Sequence, residues 1–122
     1  MLDHIGFNVS DVPAMRRFLL AALAPLGIGI TKEGEGWAMI GRDGRSQFWF
    51  GGFGPAQGPM HIAFTARTRD EVRRFHAAAL EAGATDNGGP GLRPQYHADY
   101  FGAFVIGPDG HNFEAVCHHP PE

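Results

Sequence analysis

The chain has 122 residues, of which 43% are hydrophobic and 19% charged, with a formal net charge of −3. This length and composition predict one soluble domain over residues 1–122 that needs neither a metal nor a disulfide to hold its core. A single lysine and scattered arginines argue against nucleic-acid binding, which requires clustered basic residues. The single cysteine excludes an internal disulfide and, with no secretion-signal pattern, favours a cytoplasmic location. Apolar runs stay well short of the ~20 residues that span a bilayer, which predicts no membrane insertion.

The first half of the chain is expected to form a strand, a helix and three further strands. Residues 5–9 alternate apolar with small or polar side chains, as in a strand with one buried face. A helix follows, because Ser10 or Asp11 can cap it and apolar residues then recur at three- and four-residue spacing. These helical residues are Met15, Phe18, Leu19, Ala22, Leu23 and Leu26. The three strands are predicted near residues 28–31, 37–40 and 47–50.

The second half repeats this order. The sequence His-Ile-Gly-Phe at 4–7 recurs as His-Ile-Ala-Phe at 61–64, an offset of 57, and a turn motif recurs farther on at an offset of 66. The repeats therefore cover approximately residues 1–56 and 57–119, with an inserted segment at 87–100. A capping box, in which a Thr hydroxyl and a Glu carboxylate satisfy two free helix amides, predicts a helix starting at Thr68. Strands are expected near residues 84–86, 103–106 and 112–117.

Three metal-ligating side chains are predicted to share the uncovered face of these sheets. If Ile5 and Phe7 pack against the first helix, His4 points away from it, and His61 does the same in the second repeat. Glu114 lies in the last strand, between apolar neighbours, and a partly buried carboxylate needs a compensating cation. Two imidazoles and one carboxylate suit a divalent ion such as Fe, Zn, Mn, Ni or Co. Taken singly, each histidine can instead be a hydrogen-bonded structural residue, and the carboxylate can pair with an arginine.

These motifs resemble the vicinal oxygen chelate superfamily, which includes glyoxalase I, bleomycin-resistance proteins and extradiol dioxygenases. The resemblance covers nearly the whole chain and is most specific at residues 107–114, Gly-Pro-Asp-Gly-His-Asn-Phe-Glu. It implies an α+β fold of two tandem βαβββ modules, which form curved, half-open mixed sheets with the helices on the outer face. It also implies metal ligands on the first and last strands of each module, where His4, His61 and Glu114 lie. Small members of the superfamily commonly pair, so a homodimer is expected whose partner strands complete each cavity.

The fourth ligand position departs from the glyoxalase I pattern. Subtracting the offset of 66 from Glu114 gives Phe48, which cannot bind a metal, whereas a register shift of one residue would present Gln47. The remaining two histidines and one carboxylate resemble the triad of the extradiol dioxygenases, which leaves open positions for a chelating substrate.

Further residues are candidates for contact with a substrate. The inserted segment is too rich in Gly and Pro for a helix, yet it concentrates Arg93, Tyr96, His97 and Tyr100. We expect Tyr96 and His97 to transfer protons, and Arg93 and Tyr100 to bind substrate, with the segment acting as a lid. The alternative is a surface loop whose tyrosines serve as covers. Trp49 is either a core residue or part of a wall on which a ligand stacks, and we predict that it binds substrate.

The candidate residues and the family resemblance together predict two alternative functions. The first is a divalent-metal-dependent enzyme of the glyoxalase or dioxygenase type, a lyase, isomerase or ring-opening dioxygenase acting on a small substrate with vicinal oxygens. The alternative is a metal-free protein that binds or sequesters a small molecule, as bleomycin-resistance proteins do. The missing fourth ligand favours this alternative.

Overall fold

Two helices and nine strands form two mixed β-sheets in the computed structural model, which describes residues 1–121 and leaves the last residue of the predicted domain outside. The first module consists of β1 (Ile5–Asn8), α1 (Val12–Leu23) with a 3₁₀ turn (Ala24–Leu26), β2 (Gly29–Gly34), β3 (Trp37–Arg42) and β4 (Arg45–Gly51). The second consists of β5 (His61–Thr65), α2 (Arg69–Glu81), β6 (Thr85–Asp86), β7 (Gly91–Leu92), β8 (Phe101–Ile106) and β9 (Asn112–Cys117), with a 3₁₀ turn (Pro108–Gly110) before β9. No helix within residues 1–121 is long and apolar enough to cross a membrane.

The two sheets have the same topology. The first has the strand order β1-β4-β3-β2 and the second β5-β9-β8-β6, with β7 paired to β8. In each sheet the first and last strands of the module are parallel neighbours and the other pairs are antiparallel. The predicted fold of two βαβββ modules in open mixed sheets is therefore confirmed. Strand β7, which lies in the inserted segment, is an addition that the sequence pattern did not predict.

Both helices begin at capping side chains. Of the two candidates at the first helix, Asp11 caps, since its carboxylate accepts a hydrogen bond from the Ala14 amide at 2.9 Å. At the second, the Thr68 hydroxyl accepts from the Glu71 amide at 3.0 Å. The Glu71 carboxylate accepts from the amide of Arg67, just before the cap. The chain direction at each helix start is thus fixed by local hydrogen bonds.

One apolar core joins the two modules. The buried face of each sheet carries alternate strand residues, and the helices add the stripes predicted from their spacing. Phe18 of α1 lies against Phe113 of β9, with ring centroids 5.6 Å apart, and Phe48 of β4 lies 5.8 Å from Phe64 of β5. Ile5 departs from the predicted pattern, since it is 43% exposed. It belongs to an edge strand, where one side of the residue lacks a neighbouring strand.

A cleft of about 260 Å³ separates the edge strands of the two sheets. Strands β1 and β5 each have a neighbouring strand on one side only, so both are edge strands. Outside the sheets, Gln57 bonds Asn8 of β1 and Arg42 bonds the carbonyl of Thr65 of β5. Side chains from both modules line the cleft and are mostly apolar, among them Ile5, Ile40, Phe48, Ile62 and Phe64. Edge strands beside an apolar cleft form a surface suited to cover by another chain.

A buried histidine lies where the modules meet. His111 is fully buried, and its Nδ1 accepts a hydrogen bond from the Met60 amide at 2.9 Å. Its ring packs against Phe7 of the first module, with centroids 4.9 Å apart. Burial lowers the pKa of His111 below its ordinary 6.5, although the Asp109 carboxylate acts in the opposite direction. His111 is therefore held as a neutral imidazole, which the accepting Nδ1 requires.

Candidate functional site

His61 and Glu114 meet on the uncovered face of the second sheet. Strands β5 and β9 pair so that Ala63 lies opposite Glu114, which brings the imidazole at the start of β5 diagonally toward the carboxylate. His61 Nε2 lies 3.0 Å from Glu114 Oε1. The side chain of Glu114 is 1% exposed and that of His61 50% exposed. A buried carboxylate thus faces an imidazole that solvent can reach.

Hydrogen bonding fixes the state of the His61 ring. Its Nδ1 lies 3.1 Å from the carbonyl oxygen of Asn112. A carbonyl only accepts, so Nδ1 carries a hydrogen and donates it. In a neutral ring Nε2 would then hold a lone pair directed at the Glu114 carboxylate, and two acceptors at 3.0 Å repel. A proton or a cation must therefore lie between Nε2 and the carboxylate.

The second oxygen of Glu114 is held by a tyrosine. The Tyr100 hydroxyl, just before β8, donates a hydrogen bond to Glu114 Oε2. Gly102 makes this contact possible, because a Cβ there would lie 3.1 Å from Oε2 and 3.2 Å from the tyrosine ring. Burial, together with the hydrogen bond to Glu114, raises the pKa of Tyr100 above its ordinary 10.0. The phenol is thus a fixed donor.

The segment at residues 93–100, called the strap below, is fastened at a second point. His97 Nε2 lies 2.8 Å from His118 Nδ1, and His97 Nδ1 accepts from the Asp99 amide at 3.1 Å. Both ring nitrogens of this predicted proton-transfer residue are therefore engaged by neighbours. Tyr96, the other, is 61% exposed and packs edge-on against Tyr100, with ring centroids 4.8 Å apart.

Arg93 is bound by its own loop. Its guanidinium donates to the carbonyl of Gly91 and to that of Gly89, each at 2.9 Å. It also lies over the ring of Phe104, 5.3 Å from the centroid, and this ring in turn stacks on His61. Arg93 thus supports the wall beside His61, and its role toward a substrate stays a prediction.

His4 lies in the other module, just before β1. Its Nδ1 is 2.8 Å from the carboxylate of the neighbouring Asp3, and the ring is largely exposed. Within residues 1–121 of one chain, no three His, Cys, Asp or Glu side chains form a group that could hold a metal ion. The structure therefore brings two of the three predicted ligands together and leaves the third apart from them.

The fourth position differs from the predicted one. Strand pairing sets Gly6 opposite Trp49 in the first sheet, where the equivalent Ala63 stands opposite Glu114 in the second. The position equivalent to the carboxylate is therefore Trp49, and the assignments to Phe48 and Gln47 were wrong. The reason is a β-bulge in the pairing of β3 with β4, which gives β4 one more residue after the turn than the repeat offset assumes. Phe48 is a buried core residue, and Gln47 lines the cleft between the edge strands.

Trp49 belongs to an aromatic recess on the uncovered face of the first sheet. Its ring stacks on Phe53 with centroids 6.0 Å apart and an interplanar angle of 18°. It also lies close over Gly6, where a Cβ would be 3.0 Å from the indole. The recess has a volume of about 360 Å³. It is lined by Lys32, Trp37, Met39, Trp49 and Phe53. Trp49 is therefore a wall of an open surface, while its neighbour Phe50 takes the core position.

Three residues that contribute to the site were not identified from the sequence. Gly102 and Phe104 shape the surroundings of Glu114 and His61, and His118 anchors the strap. Strand alternation places Gly102 and Phe104 on the face of Glu114 once the pairing of β8 with β9 is known. Nothing local in the sequence signals that His118 meets His97, since the contact spans 21 residues.

Fold and site together define a two-module protein whose sheets carry a histidine–carboxylate pair and aromatic side chains on their uncovered faces. The model of the Glyoxalase/Bleomycin resistance protein/Dioxygenase superfamily matches residues 1–115, and the chain belongs to this superfamily. No curated protein matches the chain.

Solved structures share the fold at low sequence identity. A glyoxalase/bleomycin resistance protein from Albidiferax ferrireducens T118 is 24% identical, with a TM-score of 0.84 over 96% of this chain and 98% of that one. A glyoxalase/bleomycin resistance protein/dioxygenase family enzyme from Burkholderia phytofirmans PsJN is 18% identical, with a TM-score of 0.73 and coverage of 96% and 98%. The oxidase ChaP-H2 is 23% identical, with a TM-score of 0.67 and coverage of 99% and 94%. At these identities the likeness establishes the fold.

Proposed function

We propose that this protein is a divalent-metal-dependent enzyme of the glyoxalase or dioxygenase type. His61 and Glu114 of one chain and His4 of a second copy would hold the ion, in a homodimer. The substrate would be a small molecule with two vicinal oxygens, and the reaction a lyase, isomerase or ring-opening dioxygenase reaction. Superfamily membership supports the reaction class.

The observation that carries the proposal is the pairing of His61 Nε2 with Glu114 Oε1. The donated hydrogen at Nδ1 leaves Nε2 free to face a cation, an arrangement common in metal-binding histidines. Metal–ligand bonds of about 2.0–2.2 Å place neighbouring ligand atoms roughly 3 Å apart, and these two atoms are 3.0 Å apart. The donor set therefore fits Fe, Zn, Mn, Ni or Co, and the buried carboxylate supplies the charge that a divalent ion requires.

The proposed site needs a second copy because His4 does not lie with His61 and Glu114 in one chain. The edge strands β1 and β5 beside an apolar cleft favour a symmetric pair in which β1 of one copy approaches β5 of the other. His4 precedes β1 and His61 begins β5, so this pairing moves the missing imidazole toward the other two ligands.

The chain's own residues would prepare the site for chemistry. A bound ion would supply Lewis acidity toward a chelating substrate. Tyr100 holds one carboxylate oxygen, and the strap shields the carboxylate from water. Tyr96 and His97 are the candidates for proton transfer; His97 would first have to release His118, since both its ring nitrogens are engaged.

Metal content tests the proposal. Chelator-treated protein is reconstituted with each of the five candidate ions and analysed by elemental mass spectrometry, beside Glu114→Ala and His61→Ala. We expect about one ion per chain in the wild type, lost in both variants. A His118→Ala/His119→Ala double variant serves as the control for binding at the C-terminal histidines and should keep the ion. A wild type that takes up none of these ions refutes the proposal.

The aromatic recess favours a second function, metal-free binding of a planar aromatic molecule. Stacking on Trp49 and Phe53 would hold such a ligand, and Lys32 at the rim would favour an anionic group. Titration with naphthalene-2-carboxylate, followed by tryptophan fluorescence, tests this function. The metal-free binder should keep its affinity in Glu114→Ala and His61→Ala, whereas binding through a metal would be lost.

A further inference from the structure

We infer that Tyr100 is a positioning residue for Glu114, and that the strap thereby sets how the carboxylate meets a metal ion. This inference rests on the proposed function. The hydroxyl of Tyr100 occupies Oε2, and the imidazole of His61 faces Oε1. Only Oε1 is therefore left to bind an ion beside His61, as a single-oxygen ligand.

The surroundings of the phenol indicate a dedicated position. Gly102 leaves the space through which the tyrosine ring and the carboxylate meet, and a Cβ there would contact both. The ring is further held edge-on by Tyr96, His97 and His118, at centroid distances of 4.8 to 5.5 Å. A hydroxyl held by these ring contacts restricts the carboxylate of Glu114 to one orientation, as outer-shell donors do for metal ligands.

The contact also links the strap to the metal site. The strap begins at Arg93, whose amide bonds the carbonyl of Tyr100, and it is fastened at His97 to His118. Tyr100 is the strap residue whose side chain bonds Glu114. Loss of its hydroxyl should therefore change the metal site itself, whereas loss of the Tyr96 hydroxyl should not.

The test is a Co²⁺ titration of wild type, Tyr100→Phe and Tyr96→Phe, followed in the visible spectrum. Tyr100→Phe removes one hydroxyl and frees Oε2. We expect roughly 10- to 100-fold weaker Co²⁺ binding, with altered band positions and intensities because both carboxylate oxygens can then reach the ion. Tyr96→Phe is the matched control, since it removes the other tyrosine hydroxyl of the strap and keeps the ring that packs against Tyr100. It should keep the wild-type spectrum and affinity within about twofold.

The outcomes separate this inference from the proposed function. A Tyr100→Phe protein with unchanged affinity or an unchanged spectrum overturns the positioning role while the metal site stands. A Tyr96→Phe protein that behaves like Tyr100→Phe also overturns it, because loss of either strap hydroxyl would then have the same effect. A wild type that binds no Co²⁺ and no other candidate ion refutes the proposed site, and the inference with it.

Discussion

A pair of variant chains can show whether the proposed metal site is built between two copies. His4 lies in the first module, while His61 and Glu114 lie in the second. In the proposed symmetric dimer each site takes one imidazole from one chain and the other two ligands from its partner. A heterodimer of His4→Ala with Glu114→Ala therefore keeps one complete site. The His4 of the Glu114→Ala chain meets the intact His61 and Glu114 of the other.

The expected magnitude follows by counting sites. The wild-type dimer holds two complete sites and the heterodimer one, so its capacity should be about half that of the wild type. Without separation, random assortment makes about half of the dimers mixed, and capacity falls to about a quarter. If the three ligands instead came from one chain, neither chain of the heterodimer would hold a complete set.

The assay uses two differently tagged chains, purified through both tags and loaded with a limiting metal ion for elemental analysis. The matched control is the heterodimer of His61→Ala with Glu114→Ala. Both changes then lie in the second module, so each site lacks one ligand in either arrangement and the control should bind little metal. A His4→Ala/Glu114→Ala heterodimer that binds no more metal than this control refutes the shared site. Failure of the tagged chains to associate refutes the dimer itself.

Three other predictions concern stability and ligand choice. The free energy of unfolding should fall as the pH drops through about 6.5 toward the lowered pKa of His111, because the unfolded chain takes up a proton that the buried imidazole resists. Urea unfolding of wild type and His111→Phe at pH 7.5 and 5.5 checks this. The variant should lose the part of the pH dependence that His111 causes. Phe113→Ala should lower the free energy of unfolding by roughly 3–5 kcal/mol, because the Phe113 ring lies between Phe18 and Phe64. A loss below about 1 kcal/mol in urea unfolding would contradict a core shared by the two modules. Trp49→Ala should abolish any binding of naphthalene-2-carboxylate while Co²⁺ binding persists; equal binding by variant and wild type would exclude the recess as the ligand wall.

The fold was predictable from the sequence because its signals are local and occur twice. Alternation in β1, the capping residues Asp11 and Thr68, and the stripe of α1 each follow from short-range spacing. The repeat of 4–7 at 61–64 then implied that two such modules share one topology, which the matching strand orders confirm.

The fourth position was missed because an offset between repeats does not report a strand irregularity. The turn motifs align at 66, but one added residue in β4 moves the equivalent of Glu114 from Phe48 to Trp49. A shift of one residue exchanges the two faces of a strand, so this single residue decides whether the position is core or site. The strand pairing, which depends on long-range contacts, was needed to see it.

The exchange of a carboxylate for an indole gives the two sheets different chemistry on equivalent faces. Glu114 places a buried charge beside His61, whereas Trp49 places an apolar ring over Gly6 and beside Phe53. In a symmetric pair with β1 of one copy beside β5 of the other, the acidic face of one chain adjoins the aromatic face of its partner. Each cavity would then combine a metal-binding wall with a stacking wall, an arrangement suited to a planar molecule with vicinal oxygens at one edge. The metal-dependent and the ligand-stacking functions would in that case be two halves of one site, and Trp49→Ala would weaken substrate binding while leaving the metal in place.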